Sequence, residues 1–222
     1  MSVQTVDYLE AATYLPPGGR LTLYEIGWEE YERLLAKLED DARFRISYNS
    51  GRLEITSPSA KHERYKSLLH DLVLILSDEL DQEILSYGST TLKLKSRRKG
   101  AEGDDSFYIR HAGNIGEKDH IDLTSDPPPD LVVEIDLTHE SASKFVIYAE
   151  LGVPEIWRYD GSRWQIWQLA GREYEPVSFS LAFPFLAAEQ LAEFVANCDT
   201  QGPKEARRFF RAWVRAIRLS SR

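Results

Sequence analysis

Residues 129–138 read PDLVVEIDLT. The near-continuous apolar character of this run is that of a central strand buried on both faces. Two acids interrupt it. Glu134 and Asp136 are two positions apart, so on a strand they share one face. A buried carboxylate pair is costly unless a cation or hydrogen-bond donors satisfy it. Either the strand end reaches solvent with one acid paired to an arginine, or a divalent metal sits there, because hard cations take carboxylate oxygens.

Downstream, SASKFVIYAELGV (141–153) reads as a helix closed by Gly152. PEIWRYDG and RWQIWQLAG read as strands joined by a turn at Asp160-Gly161, with another strand near EYEPVSFS and helices near 187–196 and 203–219. Trp157, Trp164 and Trp167 have the spacing of paired strands, which favours core or sheet-face roles over base stacking. Upstream, DDSFYIR (104–110) and ILSYGSTTLKLK (84–95) each read as a strand, and 111–128 as a polar loop. SPSAKHERYKSLLHDLVLILSDELDQ (57–82) is the clearest helix, with Ser59 as N-cap and Leu68, Leu69, Leu72, Val73, Leu76 and Leu80 as its buried stripe. RFRISYNSGRLEITS (43–57) alternates on both sides of Asn49-Ser50-Gly51, as a hairpin does, and TLYEIGWEEYERLLAKLED (22–40) reads as a short strand and a helix. The order is that of an α/β or α+β domain with a mixed sheet.

The 222 residues include a single cysteine, Cys198, which excludes an intrachain disulfide and any multi-cysteine zinc site. No apolar run is long enough for a membrane helix, and the N-terminus lacks the features of a signal peptide, so the expected setting is the reducing cytoplasm, away from membranes. The net charge of −9 argues against broad, non-specific nucleic-acid binding. The charge is unevenly spread. Seven basic residues against Glu205 alone give 203–222 a balance of +6, leaving −15 for the remainder. A second basic run, KLKSRRKG, spans 93–100. Both runs read as solvated faces or as anion-steering surfaces.

Asp104 and Asp105 open the strand DDSFYIR. The doublet is ordinary for a turn or cap, yet one of the two would lie beside Glu134 if the strands are neighbours, and converging carboxylates make a Mg²⁺ site. Lys144 falls on the first turn of the helix after Glu134. It reads as a surface lysine, or as the group that stabilises developing negative charge beside a metal. His62-Glu63 begins like a zincin HExxH, but Lys66 occupies the second histidine position, which rules that motif out.

The segments GRLEITSPSAKHERYKSLLHDL, GAEGDDSFYI and PDLVVEIDLTHESASKFVIYAELGVPEIWRYD, with the trailing W-x-I-W-x-L, resemble in order the motifs of the Uma2 family of restriction-endonuclease-like proteins, over about residues 20–180. The resemblance implies the PD-(D/E)xK nuclease superfamily: a restriction-endonuclease-like core, a mixed sheet flanked by helices, with an N-terminal helix and hairpin and C-terminal helices. It implies a domain over 1–185 and a basic helical extension over 186–222. The family's first acid matches Asp104, with Gly103 where proline is usual and Asp105 as the fallback; its second acid matches Glu134. Asp136 stands where the superfamily commonly has lysine, and Lys144, in the pattern K-x-x-x-Y ending at Tyr148, fits a lysine moved to the next helix. Glu54 and His62 match the family's E…PS…H segment as accessory residues, and read equally as an exposed hairpin acid and a first-turn helix residue.

The implied activity is Mg²⁺- or Mn²⁺-dependent hydrolysis of DNA. Asp104, Glu134 and the Ile135 carbonyl would be the ligands, Asp136 a further one and Lys144 the activating group, with phosphates steered by 93–99 or by the C-terminal helix. A homodimer suits the two strands of a duplex. The alternative is a catalytically degenerate member of the fold acting as a binding or regulatory module, which the acidic balance, Asp136 and Gly103 favour.

Overall fold

A computed structural model of the chain describes residues 8–38, 43–116, 118–137 and 142–220. Thr138 to Ser141 of the motif stretch, the end of the helix read at 22–40, and Arg222 lie outside the described residues. In chain order the elements are α1 (Tyr8–Thr13), β1 (Arg20–Leu23), α2 (Trp28–Leu38), β2 (Arg45–Asn49), β3 (Arg52–Thr56), α3 (Ala60–Leu80), β4 (Leu85–Ser86), β5 (Thr91–Leu94), β6 (Lys99–Glu102) and β7 (Asp105–Tyr108). There follow α4 (Ala112–Ile115), β8 (Leu131–Ile135), α5 (Ala142–Leu151), β9 (Glu155–Tyr159), β10 (Trp164–Ala170), β11 (Glu173–Val177), α6 (Ala188–Thr200) and α7 (Pro203–Ser220).

The strands form two sheets, ordered β1-β3-β2-β6-β5 and β11-β10-β9-β8-β7-β4. The second is mixed: β8 runs antiparallel to β7 and parallel to β9, the crossover being α5. Every residue of β8 is buried, as its apolar run requires. Val133 and Ile135 face a core built with α3, α6 and α7; Val132 faces α5, which packs between the two sheets with Leu92 and Ala101 of the first. The outer face of the first sheet packs under α2.

Capping chemistry fixes the helix ends near the sheet edge. Ser59 Oγ accepts the His62 N–H at 3.2 Å, starting α3 where an orphan amide would otherwise cost about 1 kcal/mol. Gly152 closes α5 with φ 80°, in the left-handed region that favours glycine.

Two local expectations are revised, and one strand has no counterpart in the sequence reading. The segment 84–95 is two strands, not one: Gly88, with φ 55°, turns the chain, so β4 pairs with β7 in one sheet and β5 with β6 in the other. Residues 99–102 form β6, hidden in the sequence by Lys99 and Gly100. The loop after 110 contains α4, whose entry is pinned by Asp130 Oδ2 accepting the N–H groups of Ile109, Arg110 and His111 at 2.7–3.1 Å.

The basic helix α7 is engaged by the acidic side of α3. Arg207 meets Asp71 at 2.6 Å, Arg211 meets Asp78 and Glu79, Arg215 meets Glu79, and Arg218 donates to the Glu79 carbonyl. Glu79 stands seventeen residues beyond His62, so these pairs extend to about 25 Å from the first turn of α3. The run 93–99 is similarly engaged: Lys93 with Glu32, Lys95 with Glu29, Arg97 with Glu150, and Lys99 with Asn49 and Ser50. No helix among the described residues is long and apolar enough to cross a membrane.

Candidate active site

The chain crosses from the first sheet to the second between Glu102 and Asp105, and the candidate residues gather at that crossing. Asp105 lies opposite Val133 in the β7–β8 ladder, so the two share the face toward α3. Asp104 points the other way, to the face that carries Glu134. The Asp104 N–H donates to the Val133 carbonyl at 3.0 Å; Asp104 Oδ2 accepts the Ile135 N–H at 2.6 Å and lies 3.0 Å from His62 Nε2. Ile135, like Val133, turns its backbone groups toward β7, so its carbonyl lies on the edge where Asp104 sits.

Glu134 is met by α5. Lys144 Nζ donates to both carboxylate oxygens, at 3.1 and 2.9 Å, and to the Glu102 carbonyl at 3.0 Å. Tyr148, one helical turn on, donates a short hydrogen bond to Glu134 Oε1. Asp136 shares the face of Glu134 and is held by Arg158 Nε of β9 at 2.6 Å. Asp104, Glu134, Asp136, Lys144, His62 and Glu54 all line one pocket of about 70 Å³. That space suits an ion and a few waters.

Asp105 is outside it. It accepts from Ser86 Oγ at 3.0 Å and lies 2.8 Å from His70 Nδ1, on the α3 side of the sheet. Glu54 lines the pocket as a counter-ion: Oε1 is 2.9 Å from both Arg20 and Arg52, and Oε2 accepts from Ser143 of α5 at 3.0 Å. A glycine at 103 has a physical reason here. A Cβ at that position would stand 2.8 Å from Val132 Cγ1 and 3.4 Å from the Tyr148 hydroxyl, so Val132 and Tyr148 occupy the space of a side chain.

Burial governs the titration of the cluster. It pushes the Glu134 carboxyl up; Lys144 opposes this, while Asp104 and Asp136 add to it. Burial also acts against ionised Asp104, but the hydrogen bond and charge of His62, with the Lys144 charge and the Ile135 N–H, hold that carboxyl below its ordinary value. His62 is raised, its burial outweighed by Asp104, and Lys144 is raised because Glu134 and Asp104 outweigh its desolvation. The two carboxyls are therefore pushed apart, one held ionised and the other near protonation.

Among the described residues, no group of three or more His, Cys, Asp or Glu side chains is arranged to hold a metal ion. Each carboxylate is engaged by a neighbour. The donor set nevertheless suits a hard cation, since Mg²⁺ needs only one or two protein carboxylates and keeps several waters, and the Asp104 charge raises the cost of ionising Glu134 in the same pocket.

Sequence reasoning passes over four neighbours: Arg20, Arg45, Ser143 and Arg158. For Arg45 the signal is the alternation in RISYN and RLEIT, which puts Arg45, Ser47, Glu54 and Thr56 on one face. Arg158 has no such signal, because its meeting with Asp136 depends on the β8–β9 register.

A solved structure from Anabaena variabilis ATCC 29413, described as "a putative nuclease belonging to DUF820", matches with a TM-score of 0.51 and 15% identity, covering 76% of this chain and 98% of that one. At that identity the likeness is one of fold. No curated protein matches the sequence. The model of the Uma2 family, described as "Putative restriction endonuclease", matches residues 28–199, which takes in β2 to α6 and the whole pocket save Gly18, Gly19 and Arg20. With the mixed sheet, the crossover helix and the ordered motifs all in place over that span, the chain belongs to the Uma2 family.

Proposed function

We propose that the protein is a metal-dependent DNA endonuclease whose site is Asp104, Glu134, Asp136 and Lys144. The observation that carries this is the meeting of Lys144 with Glu134 at 2.9 Å in the pocket that Asp104 also lines. Asp104 and Glu134 would hold Mg²⁺ or Mn²⁺, with the Ile135 carbonyl and Asp136 as further oxygen donors. Such an ion, when bound, polarises a phosphoryl oxygen and lowers the pKa of water. Lys144 keeps the Glu134 carboxylate in place and sets an ammonium in the pocket, where it orients water and offsets negative charge as the phosphodiester is attacked. Tyr148 fixes the same carboxylate from beneath. His62 holds Asp104, and Glu54 holds the arginines of the opposite wall.

In this reading residues 1–185 are the nuclease domain and 186–222 a helical extension bracing α3. The enzyme works in the cytoplasm, and two copies pair to cut both strands of a duplex, which light scattering would detect as a dimer. The test is cleavage of plasmid and single-stranded DNA with Mg²⁺ or Mn²⁺: wild-type protein nicks or cuts, and Asp104→Ala and Glu134→Ala lose the activity. Unchanged cleavage in those variants refutes the assignment.

One observation favours a second reading, a non-catalytic binding or regulatory module: Asp104, Glu134 and Asp136 each already have a protein partner. That reading predicts that Mn²⁺ raises the melting temperature of wild type no more than that of Glu134→Ala.

A further inference from the structure

The pocket has two walls of opposite sign. The second sheet supplies Asp104, Glu134 and Asp136; the first sheet supplies the other wall. Its strands RLTL, RISYN and RLEIT alternate, and their apolar members Leu21, Leu23, Ile46, Tyr48, Leu53 and Ile55 pack under α2. The polar members therefore all face inward. Arg20 and Arg45 are both register partners of Thr56, and Ser47 is the partner of Glu54. Cross-strand partners share a face, so Arg20, Thr56 and Arg45 form one row, with the two guanidinium-bearing strands about 10 Å apart.

Arg45, Ser47 and Glu54 are buried. A hairpin that merely covered the core would gain more from an apolar inner face, since desolvating charge offsets much of what pairing returns. The polar face thus calls for a ligand. Arg20 and Arg52 meet Glu54, and Arg45 meets Glu63 at 3.4 Å and donates to the Phe44 carbonyl at 2.9 Å. Arg20 is bonded to Glu54 through Nη1, and a guanidinium has five N–H donors in a planar fork that suits phosphate. By contrast, α7 is spent along α3, and 93–99 is tied to acids and amides at the other end of β5 and β6.

We propose that Arg20 and Arg45, flanking Thr56, form a phosphate-binding wall that grips the backbone of a DNA strand whose target phosphate faces Asp104, Glu134 and Lys144. The proposal rests on the nuclease reading of the pocket. It gives the N-terminal strand β1, which lies outside the span matched by the family model, a direct part in substrate binding.

The test is fluorescence anisotropy with a fluorescein-labelled DNA duplex of about two helical turns, in EDTA and again in Ca²⁺, over a range of salt. Each phosphate contact contributes about 0.9 to the slope of log affinity against log salt, so Arg20→Ala should lower the slope by about that amount. Between about 50 and 200 mM salt this corresponds to a salt sensitivity about 3.5-fold smaller. Arg20→Lys keeps the charge and should keep the slope while binding more weakly, because the fork is lost. Thermal melting of each variant confirms its fold. An unchanged slope in Arg20→Ala, or an equal fall in Arg208→Ala on the exposed side of α7, overturns the wall and leaves the nuclease reading standing. Wild-type protein without measurable duplex affinity overturns the wall, and the nuclease reading is judged apart from it: plasmid cleavage that is lost in Glu134→Gln keeps that reading, and absence of cleavage by wild type overturns it too.

Discussion

Replacing Lys144 with methionine tests the meeting of Lys144 and Glu134. The Glu134 side chain is 2% exposed and that of Lys144 14%, and Nζ reaches both carboxylate oxygens. Methionine matches the lysine stem in bulk, so the loss is the charge and its hydrogen bonds. Removing one partner of a buried pair costs about 3–5 kcal/mol, because the other charge stays buried and uncompensated. Here Tyr148 still donates to Glu134, which places the expectation for Lys144→Met near the lower end, about 3 kcal/mol. In the double variant Lys144→Met/Glu134→Gln no charge is stranded, and the cost should fall to about 1 kcal/mol; with Glu134→Gln alone costing about 0.5 kcal/mol or more, the coupling is at least about 2 kcal/mol. Equilibrium urea unfolding measures both. The pH dependence has a definite sign. Burial raises Glu134 in the folded state, so between the ordinary carboxylate range and the raised value the folded protein binds the proton that the unfolded chain has released. The stability of Lys144→Met, with the opposing ammonium gone, should therefore fall as pH rises through that window, and fall more than in wild type. A coupling below about 0.5 kcal/mol, or a penalty that does not vary with pH, would mean that lysine and glutamate do not share a buried site.

Further outcomes follow from other contacts. Gly103→Ala should cost about 1–3 kcal/mol by crowding Val132, and Val132→Ala in that background should recover part of the loss; an additive urea series would show that the two positions do not touch. His70 is raised by its hydrogen bond to Asp105, so its stabilising contribution is full below its ordinary value of 6.5 and is lost as pH rises through the raised one. His70→Asn should accordingly lose more stability at pH 5 than at pH 9, and an equal loss at both would dismiss the pairing. Tyr148→Phe should lower the affinity of the site for Mn²⁺, read by calorimetry, with little change in fold, because it unfastens one oxygen of Glu134; unchanged affinity would deny the tyrosine a positioning role.

Periodicity and local chemistry account for what the sequence reveals of the fold. The run at 131–135 declares itself by being apolar almost throughout, as a strand buried on both faces is, and the leucine stripe of α3 by repeating at the helix period. The caps at Ser59 and Gly152 are equally readable, since each depends on one residue type. The division of the strands into two sheets is not readable in this way. It turns on a single positive-φ glycine at 88 and on β6, whose Lys99 and Gly100 carry no strand signature. In the candidate site, ordered motifs point to Asp104, Glu134 and Lys144, but the sequence cannot say which member of the 104–105 doublet faces Glu134. That is decided by register: Asp105 opposite Val133 sends its side chain to α3 and leaves Asp104 on the pocket side. The same limit hides the fate of the basic helix, whose arginines look available in sequence and are engaged by Asp71, Asp78 and Glu79.

The position of Lys144 on α5 rather than on the strand bears on what holds the two sheets together. A lysine at 136 would belong to the second sheet alone. From α5, Lys144 bonds Glu134 of the second sheet and the Glu102 carbonyl of the first, and the adjacent Ser143 bonds Glu54 of the first. Position 136 is thereby left to an acid, which clamps β8 to β9 through Arg158. The first turn of α5 thus acts as a bolt across the crossing point, and the acidic and basic walls face each other only when both sheets are docked on it. Loosening that dock should disorder the site as a unit, which is why the coupling between Lys144 and Glu134 is the measurement that bears on every other residue placed there.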